Sequence, residues 1–336
     1  MPTRAALEEA EAARRRHGGR VGAVADDGPA ELVMLAAVAR RHYLLGQSKV
    51  EIADELGISR FKVARMLESA RERGLVRIEI VRQGAIDVDA SARLQERYGL
   101  AHAVVVEAPG ADPAARRQQL GRAAADLLTE IVEPADVLGL PWSRNVHAMV
   151  AALESLEVAE IVQLTGVLAL PDLDSSAVDI VRRAARLSGS VAHVFYAPFV
   201  LDTTASADAL RRQPDVAASL ARADGVTKAV VGIGAWAPGQ STIHDLLTDD
   251  ERAGLARSGV VGELAGVFFD HRGKPLRPKV AGRLITLRAD QLRAVPEVVA
   301  VVSGRGKAEA VGAALEGRLV HGLVADTELA AALLDG

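Results

Sequence analysis

Five short segments of this sequence place small or polar side chains directly after an apolar run, where a ligand can be received. The first is Pro141-Trp142-Ser143-Arg144-Asn145, at the start of a helical pattern. Amides at a helix start, with Ser143, Arg144 and Asn145 beside them, suit an anion such as phosphate. The second is Thr165-Gly166-Val167, the third is Gly232-Ile233-Gly234-Ala235-Trp236, and the fourth pairs Gly262-Glu263 with Asp270. The fifth, Ser303-Gly304-Arg305-Gly306-Lys307, opens a helix and sets glycines beside a lysine, the best anion candidate of the five. Any one of them taken singly is also what an ordinary strand-to-helix turn looks like. Lys307 with Glu263 or Asp270 offers two chemistries. A lysine–carboxylate pair can move a proton. The same groups can instead hold sugar hydroxyls and phosphate without turnover, and this binding reading is favoured.

A second set of residues lies in 48–68, SKVEIADELGISRFKVARMLE. Ser48 can cap a short helix that carries Ile52, Ala53 and Leu56 inward. Gly57 suits the left-handed position of a tight turn. Ile58 packs back, and Ser59 caps a second helix with Val63, Met66 and Leu67 inward. An earlier helix, from about residue 30, carries Leu32, Leu35, Ala36, Ala39 and Tyr43 on one stripe. This is the helix-turn-helix arrangement. The outer face of its second helix presents Ser59, Arg60, Phe61, Ala64 and Arg65, and its first residues would enter a DNA major groove. Arg60 and Arg65 can take guanine edges or phosphate, and Phe61 can meet a thymine methyl or simply pack. Lys62, Arg71 and Arg73 suit phosphates. The candidate DNA-contacting residues are thus Ser48, Ser59, Arg60, Phe61, Lys62 and Arg65. Residues 75–81, LVRIEIV, alternate apolar and charged, a strand that could form a wing. A winged module of this size binds weakly alone, so dimerisation is expected.

The elements that must position the five segments form an α/β pattern. Strands are expected at 103–106, 137–140, 160–164, 191–195, 229–233, 298–302 and 319–324. Helices are expected at 88–98, 113–132, 146–155, 176–187, 215–222, 307–315 and 327–334. Short Val/Ile/Leu runs separated by helices indicate a mostly parallel sheet covered on both faces. The domain reading is a mobile N-terminal tail over 1–30, a winged helix-turn-helix over 31–82, and a ligand-binding and oligomerisation domain over 87–336, joined by a short link near residue 84.

Composition narrows the function classes. The 336 residues contain no cysteine, which excludes disulfides, cysteine-based zinc sites and a thiol nucleophile. With no apolar run of about 18 residues and no apolar stretch at the N-terminus, neither a membrane span nor a secretory signal is read, and a cytoplasmic location is expected. Aromatic residues make up only 3%, so the core must be aliphatic. Residues 31–82 carry ten Lys and Arg against seven Asp and Glu, while 83–336 carry 25 against 32, a basic module on an acidic body. Phosphate-loop, dinucleotide and nucleophile-elbow motifs are absent. The eight histidines are scattered, so no metal and no cofactor are called for.

With these residues laid out, the chain resembles the SorC/DeoR-type sugar-binding transcriptional regulators over about residues 32–335. The resemblance rests on the helix-turn-helix of 48–68 followed by RERGLV at 71–76, on VGIGA at 231–235, on GVVGELAGVFFD at 259–270, and on GKAEAVGAALEGRLV at 306–320. It implies a large domain with the sugar-phosphate isomerase and CoA-transferase-like fold, reused as a sensor. It implies a homodimer or homotetramer that binds a double-stranded DNA operator and a sugar or sugar-phosphate effector. By position it maps the phosphate loop to Ser143, Arg144 and Asn145, the second loop to Thr165 and Gly166, the sugar-contacting acid to Glu263, and the basic residue at the helix start to Lys307. The chain departs from the family pattern where Pro141 and Val167 replace glycines. Gly234 and Asp270 complete the candidate effector-binding set. No catalytic residue is assigned, and an isomerase-like enzyme with an accessory DNA-binding module is the alternative.

Overall fold

The structure is a computed structural model that describes residues 28–76, 86–108, 112–168 and 176–336. The chain divides into two compact units, Met1–Glu79 and Ile80–Gly336. Most of the expected N-terminal tail, most of the expected wing strand and the link near residue 84 lie outside the described residues.

Three helices build the described part of the first unit: α1 (Pro29–Tyr43), α2 (Lys49–Leu56) and α3 (Arg60–Glu72). Ser48 and Glu51 form a reciprocal capping box at α2. The Ser48 amide donates to Glu51 Oε2 at 2.7 Å, and the Glu51 amide donates to Ser48 Oγ at 3.2 Å. Those Ser48 bonds hold the Glu51 carboxyl below its ordinary pKa. Gly57 ends α2 at φ 64°, and Ser59 Oγ accepts from the Lys62 amide at 3.2 Å to start α3. The core is Leu35, Val38, Ala39, Ile52, Ala53, Val63, Leu67 and Ala70, with Met66 half-buried against it. Two expected core positions of α1 fail. Leu32 is 39% exposed and Ala36 faces water, because the buried stripe is confined to the middle turns of α1 and runs through Val38 instead.

The Gly57 turn yields a clean expectation. A Cβ built at residue 57 meets nothing within 4 Å, so Gly57→Ala is opposed only by its left-handed backbone. That conformation costs a non-glycine residue about 1 kcal/mol. Hydrogen exchange of the α2 and α3 amides should therefore quicken by about fivefold in the variant; unchanged protection would disprove this turn geometry.

The second unit is organised by a seven-stranded sheet in the order β1-β10-β9-β5-β2-β3-β4, all pairs parallel. Its strands are β1 (His102–Val106), β2 (Val137–Leu140), β3 (Glu160–Gln163), β4 (Val191–His193), β5 (Lys228–Val231), β9 (Glu297–Val302) and β10 (Gly322–Asp326). Each matches one of the seven expected strands. Central β9 is buried from Val298 to Val302, as a strand covered on both faces should be. One face packs against α5 (Pro113–Ile131), α6 (Arg144–Ala152) and α7 (Ala177–Ser188) through Leu120, Leu128, Met149 and Val181. The other packs against α4 (Val88–Tyr98), α12 (Ala289–Ala294), α13 (Ala308–Glu316) and α14 (Thr327–Asp335) through Leu94, Leu292, Val311 and Leu329.

A second, antiparallel sheet was not expected. It joins β6 (Ile233–Ala235), β7 (Gly262–Leu264) and β8 (Val267–Phe269) in sequence order. The remaining α-helices among the described residues, α8 (Thr204–Arg211), α9 (Pro214–Ala221), α10 (Thr242–Leu246) and α11 (Asp249–Arg257), lie between β4 and β7 along the chain. Strand order identifies the ligand position. From β2 the chain moves outward to β3 and β4, then returns to the opposite side of β2 as β5. The crevice at the carboxyl ends of β2 and β5 is thus a topological switch point.

Candidate functional site

A cleft of about 280 Å³ opens at that switch point. Four adjacent strands, β9, β5, β2 and β3, deliver residues to it from their carboxyl ends: Ser303 and Lys307, Gly232, Pro141 to Asn145, and Thr165. The small sheet adds Gly234 and Glu263, and the start of α10 adds Ser241 and Thr242. Of the nine expected effector residues, Ser143, Arg144, Asn145, Thr165, Gly234, Glu263 and Lys307 line this one cleft.

Two of the nine do not line it. Asp270 serves a turn after β8: its Oδ1 accepts from the amides of Arg272 at 2.9 Å and Lys274 at 3.0 Å. A carboxylate committed to closing a turn is not offered to a cleft. Gly166 lies against neighbouring backbone, where an added Cβ would sit 2.7 Å from Phe199 Cα. Its part is to let two chain segments pass closely, with its amide donating to the Ile285 carbonyl at 2.8 Å.

Several lining groups are also engaged with the protein itself. Ser143 Oγ caps α6, accepting from the amides of Asn145 at 3.2 Å and Val146 at 3.4 Å. Thr165 Oγ1 accepts from the Trp142 amide at 2.9 Å, fixing the loop that leaves β2. Asn145 Nδ2 donates to the Val301 carbonyl at 2.8 Å and ties α6 to β9. Pro141 brings no amide hydrogen. Charge on this side of the cleft is therefore supplied by side chains: Arg144, whose guanidinium lies 5.9 Å from the Trp142 ring centre, and Arg117 from α5.

Glu263 is the most enclosed charged side chain lining the cleft, with 9% of its surface exposed. Ser241 Oγ donates to its Oε1 at 3.0 Å, and the Gly266 amide donates to its Oε2 at 3.2 Å. Burial nonetheless pushes its carboxyl pKa up, against the pull of those two bonds and of Lys307. Lys307 carries the complementary shift. Burial pushes its ammonium pKa down, Arg144 and Arg117 push the same way, and Glu263 and Asp326 oppose them. Asp326 also holds the Gly304–Lys307 turn, accepting from the Gly304 amide at 3.0 Å. An acid and a cation, each disfavoured as ions, thus face a polar cleft beside two arginines. Such a site gains by binding a molecule with hydroxyls for Glu263 and a negative group for the cations.

The Glu263 shift has a testable sign. A carboxyl whose pKa is raised on folding gives its full stability below the unfolded value of about 4.5, and that stability is lost as pH rises through the folded value. Glu263→Gln should thus gain stability relative to the parent chain between pH 4.5 and pH 7. Melting temperatures across that range check it; a constant difference would rule out the burial effect.

Arg117, Gln240, Ser241, Thr242 and Asp245 also line the cleft and were not singled out in the sequence. Ser241 had a signal: it follows Pro238-Gly239-Gln240 and caps α10, accepting from the His244 amide at 3.3 Å. Arg117 had none, since it is one of several arginines on an amphipathic helix. The candidate DNA residues lie together at the start of α3 and α2, where Ser48, Ser59, Arg60, Phe61, Lys62 and Arg65 are all exposed. Among the described residues no group of three or more His, Asp or Glu could hold a metal ion, and no helix is long and apolar enough to cross a membrane.

A helix-turn-helix unit and, in the same chain, a parallel α/β unit with a polar cleft at its switch point are the two parts that a ligand-sensing transcriptional regulator needs. Comparison with known proteins places it further. Residues 85–335 match the family described as "Putative sugar-binding domain". The chain is 29% identical over 309 residues to the transcriptional regulator LsrR of Klebsiella pneumoniae, covering 91% of this chain and 94% of the relative. It is also 29% identical over 319 residues to the transcriptional regulator LsrR of Escherichia coli K12, covering 93% and 98%. The crystal structure of the full-length sorbitol operon regulator SorC from Klebsiella pneumoniae superposes with a TM-score of 0.70 at 23% identity, covering 92% of this chain and all of that one. The chain belongs to the sugar-binding domain family, and the curated relatives it matches along nearly their whole length are transcriptional regulators.

Proposed function

We propose that the chain is a cytoplasmic transcriptional regulator that binds a double-stranded operator through α3 and releases or tightens it when a sugar or sugar phosphate occupies the switch-point cleft. One observation carries the reading: seven of nine residues chosen from five separate segments meet in one cleft, in a chain that also presents a capped helix-turn-helix. Arg60 and Arg65 take base edges, and Ser48, Ser59 and Lys62 take phosphates. Glu263 accepts sugar hydroxyls, while Arg144, Arg117 and Lys307 hold a negative group. The regulator acts as a homodimer or homotetramer, because a single small module binds DNA weakly and a two-fold operator needs two. A ligand shifts DNA affinity by as much as it distinguishes two arrangements of that oligomer. The isomerase alternative is set aside, since the relatives matched over nearly their whole length are regulators.

The test has two arms. Duplexes are selected from random sequence with the purified chain, and their affinity is measured at physiological salt. A thermal-shift panel of sugar phosphates, free sugars and polyols then identifies the ligand, which should raise the melting temperature and change operator affinity. Binding with no sequence preference would refute the regulator reading. A ligand that stabilises the protein but leaves operator affinity untouched would refute the coupling.

A further inference from the structure

We infer that Phe61 reads the 5-methyl group of a thymine and that Arg60 holds its ring for that contact. The inference rests on the DNA-binding reading above and goes beyond it to name the base feature recognised. Sequence alone left Phe61 two roles, and among the described residues of its own unit nothing buries it. Its side chain is 66% exposed, while Val63, two residues on, is fully buried. Its surroundings are the polar, cationic start of α3: Ser59, Arg60, Lys62 and Arg65 are all exposed. The Arg60 guanidinium lies 5.0 Å from the Phe61 ring centre, so the cation restrains the ring. A phenyl group standing out of such a face matches the apolar group that a major groove offers, the thymine methyl. The cations around it would bring the duplex to it.

Spacing sharpens the inference. Phe61 and Arg65 are four residues apart on α3 and share a face. They are separated by about 6 Å along the helix axis. One base step rises about 3.4 Å. The thymine read by Phe61 and a guanine read by Arg65 therefore fall within about two base pairs of each other.

The experiment uses the full chain and duplexes it selects from random sequence. Each thymine of the selected site is replaced in turn by deoxyuridine, which removes the methyl and leaves the pairing edge intact. One thymine per half-site, near a guanine, should weaken binding about three- to fivefold when its methyl is removed, as expected for one buried methyl-sized group. Phe61→Ala should lose a similar factor on the thymine duplex and no longer distinguish thymine from uracil. Phe61→Leu, which keeps an apolar tip, should retain part of the discrimination. Indifference of the parent chain to every methyl removal would overturn the inference. So would a Phe61→Ala variant as methyl-sensitive as the parent, or one that changes only the oligomer mass. Failure to select any sequence is a different result, since it removes the DNA reading itself.

Discussion

Gly234→Ala is expected to abolish the effector response while leaving operator binding in place. A Cβ at residue 234 would lie 2.3 Å from Glu263 Oε1 and 2.7 Å from Ser241 Cβ, both below any real contact distance. Something must move, and the atoms in the way belong to the acid and its hydroxyl partner. Glu263 has little freedom to retreat, because its second oxygen accepts from the Gly266 amide and the residue is buried. Losing a hydrogen bond between a charged group and its ligand costs up to about 3 kcal/mol, which is about a hundredfold in affinity. Overpacking itself should cost about 1–3 kcal/mol of stability in the second unit. The first unit has its own core and no part in this clash. The measurement pairs a ligand titration by thermal shift with operator binding by fluorescence anisotropy. The expected outcome is a ligand affinity down by at least about a hundredfold, with operator affinity near that of the parent chain. A variant that still responds at the parent's ligand concentrations would remove Gly234 and Glu263 from the effector site.

The position of Gly234 also shows where sequence reading runs out. Seven strands of the large sheet were legible because each is a run of Val, Leu, Ile or Ala between helices, long enough for period and flanks to decide. The small sheet was not. Its three strands are three residues long, and two of them, which contain Gly234 and Gly262, carry a single large apolar side chain each, Ile233 and Leu264. Such segments reach strand geometry through tertiary pairing rather than propensity. The helices of Pro113–Ile131 and Val88–Tyr98 were legible because their stripes are long, whereas α10 and α12, at five and six residues, are too short to show a stripe. The cleft followed the same division. Its strand-end residues were visible because loops after parallel strands are where ligands are sought. Arg117 was not, since only the packing of α5 beside the β2 loop brings an arginine of that helix there. Asp270 shows the opposite error. It stands close to Glu263 in sequence, yet the β7–β8 hairpin comes between them, and its Oδ1 closes the turn that follows β8.

Lys307→Met should move affinity and stability in opposite directions. The ammonium is held in a place that disfavours charge, by burial first and then by Arg144 and Arg117. A lysine whose pKa is lowered on folding costs stability below the folded value, and that cost fades as pH rises toward the ordinary value of about 10.5. The ligand-free variant should therefore melt above the parent at pH 7, with the gain shrinking toward pH 10. Part of the gain is offset, because Lys307 also pulls the Glu263 carboxyl down and its loss leaves that acid more poorly placed. Adding Glu263→Gln should recover the offset, so the double variant should exceed the sum of the two single gains. Ligand binding should fall. Truncating one partner of a buried, hydrogen-bonded charge pair costs about 2–5 kcal/mol, which is roughly 30-fold to several thousandfold in affinity. The size of that fall reports the chemistry of the effector. A phosphorylated or otherwise anionic sugar should lose the full factor, because Pro141 and the Ser143 cap leave its charge to Lys307 and the arginines. A neutral polyol held by Glu263 should lose less than about tenfold. If the variant were both less stable and equally tight for an anionic sugar, Lys307 would be a structural cation, and the anion subsite would lie elsewhere in the cleft.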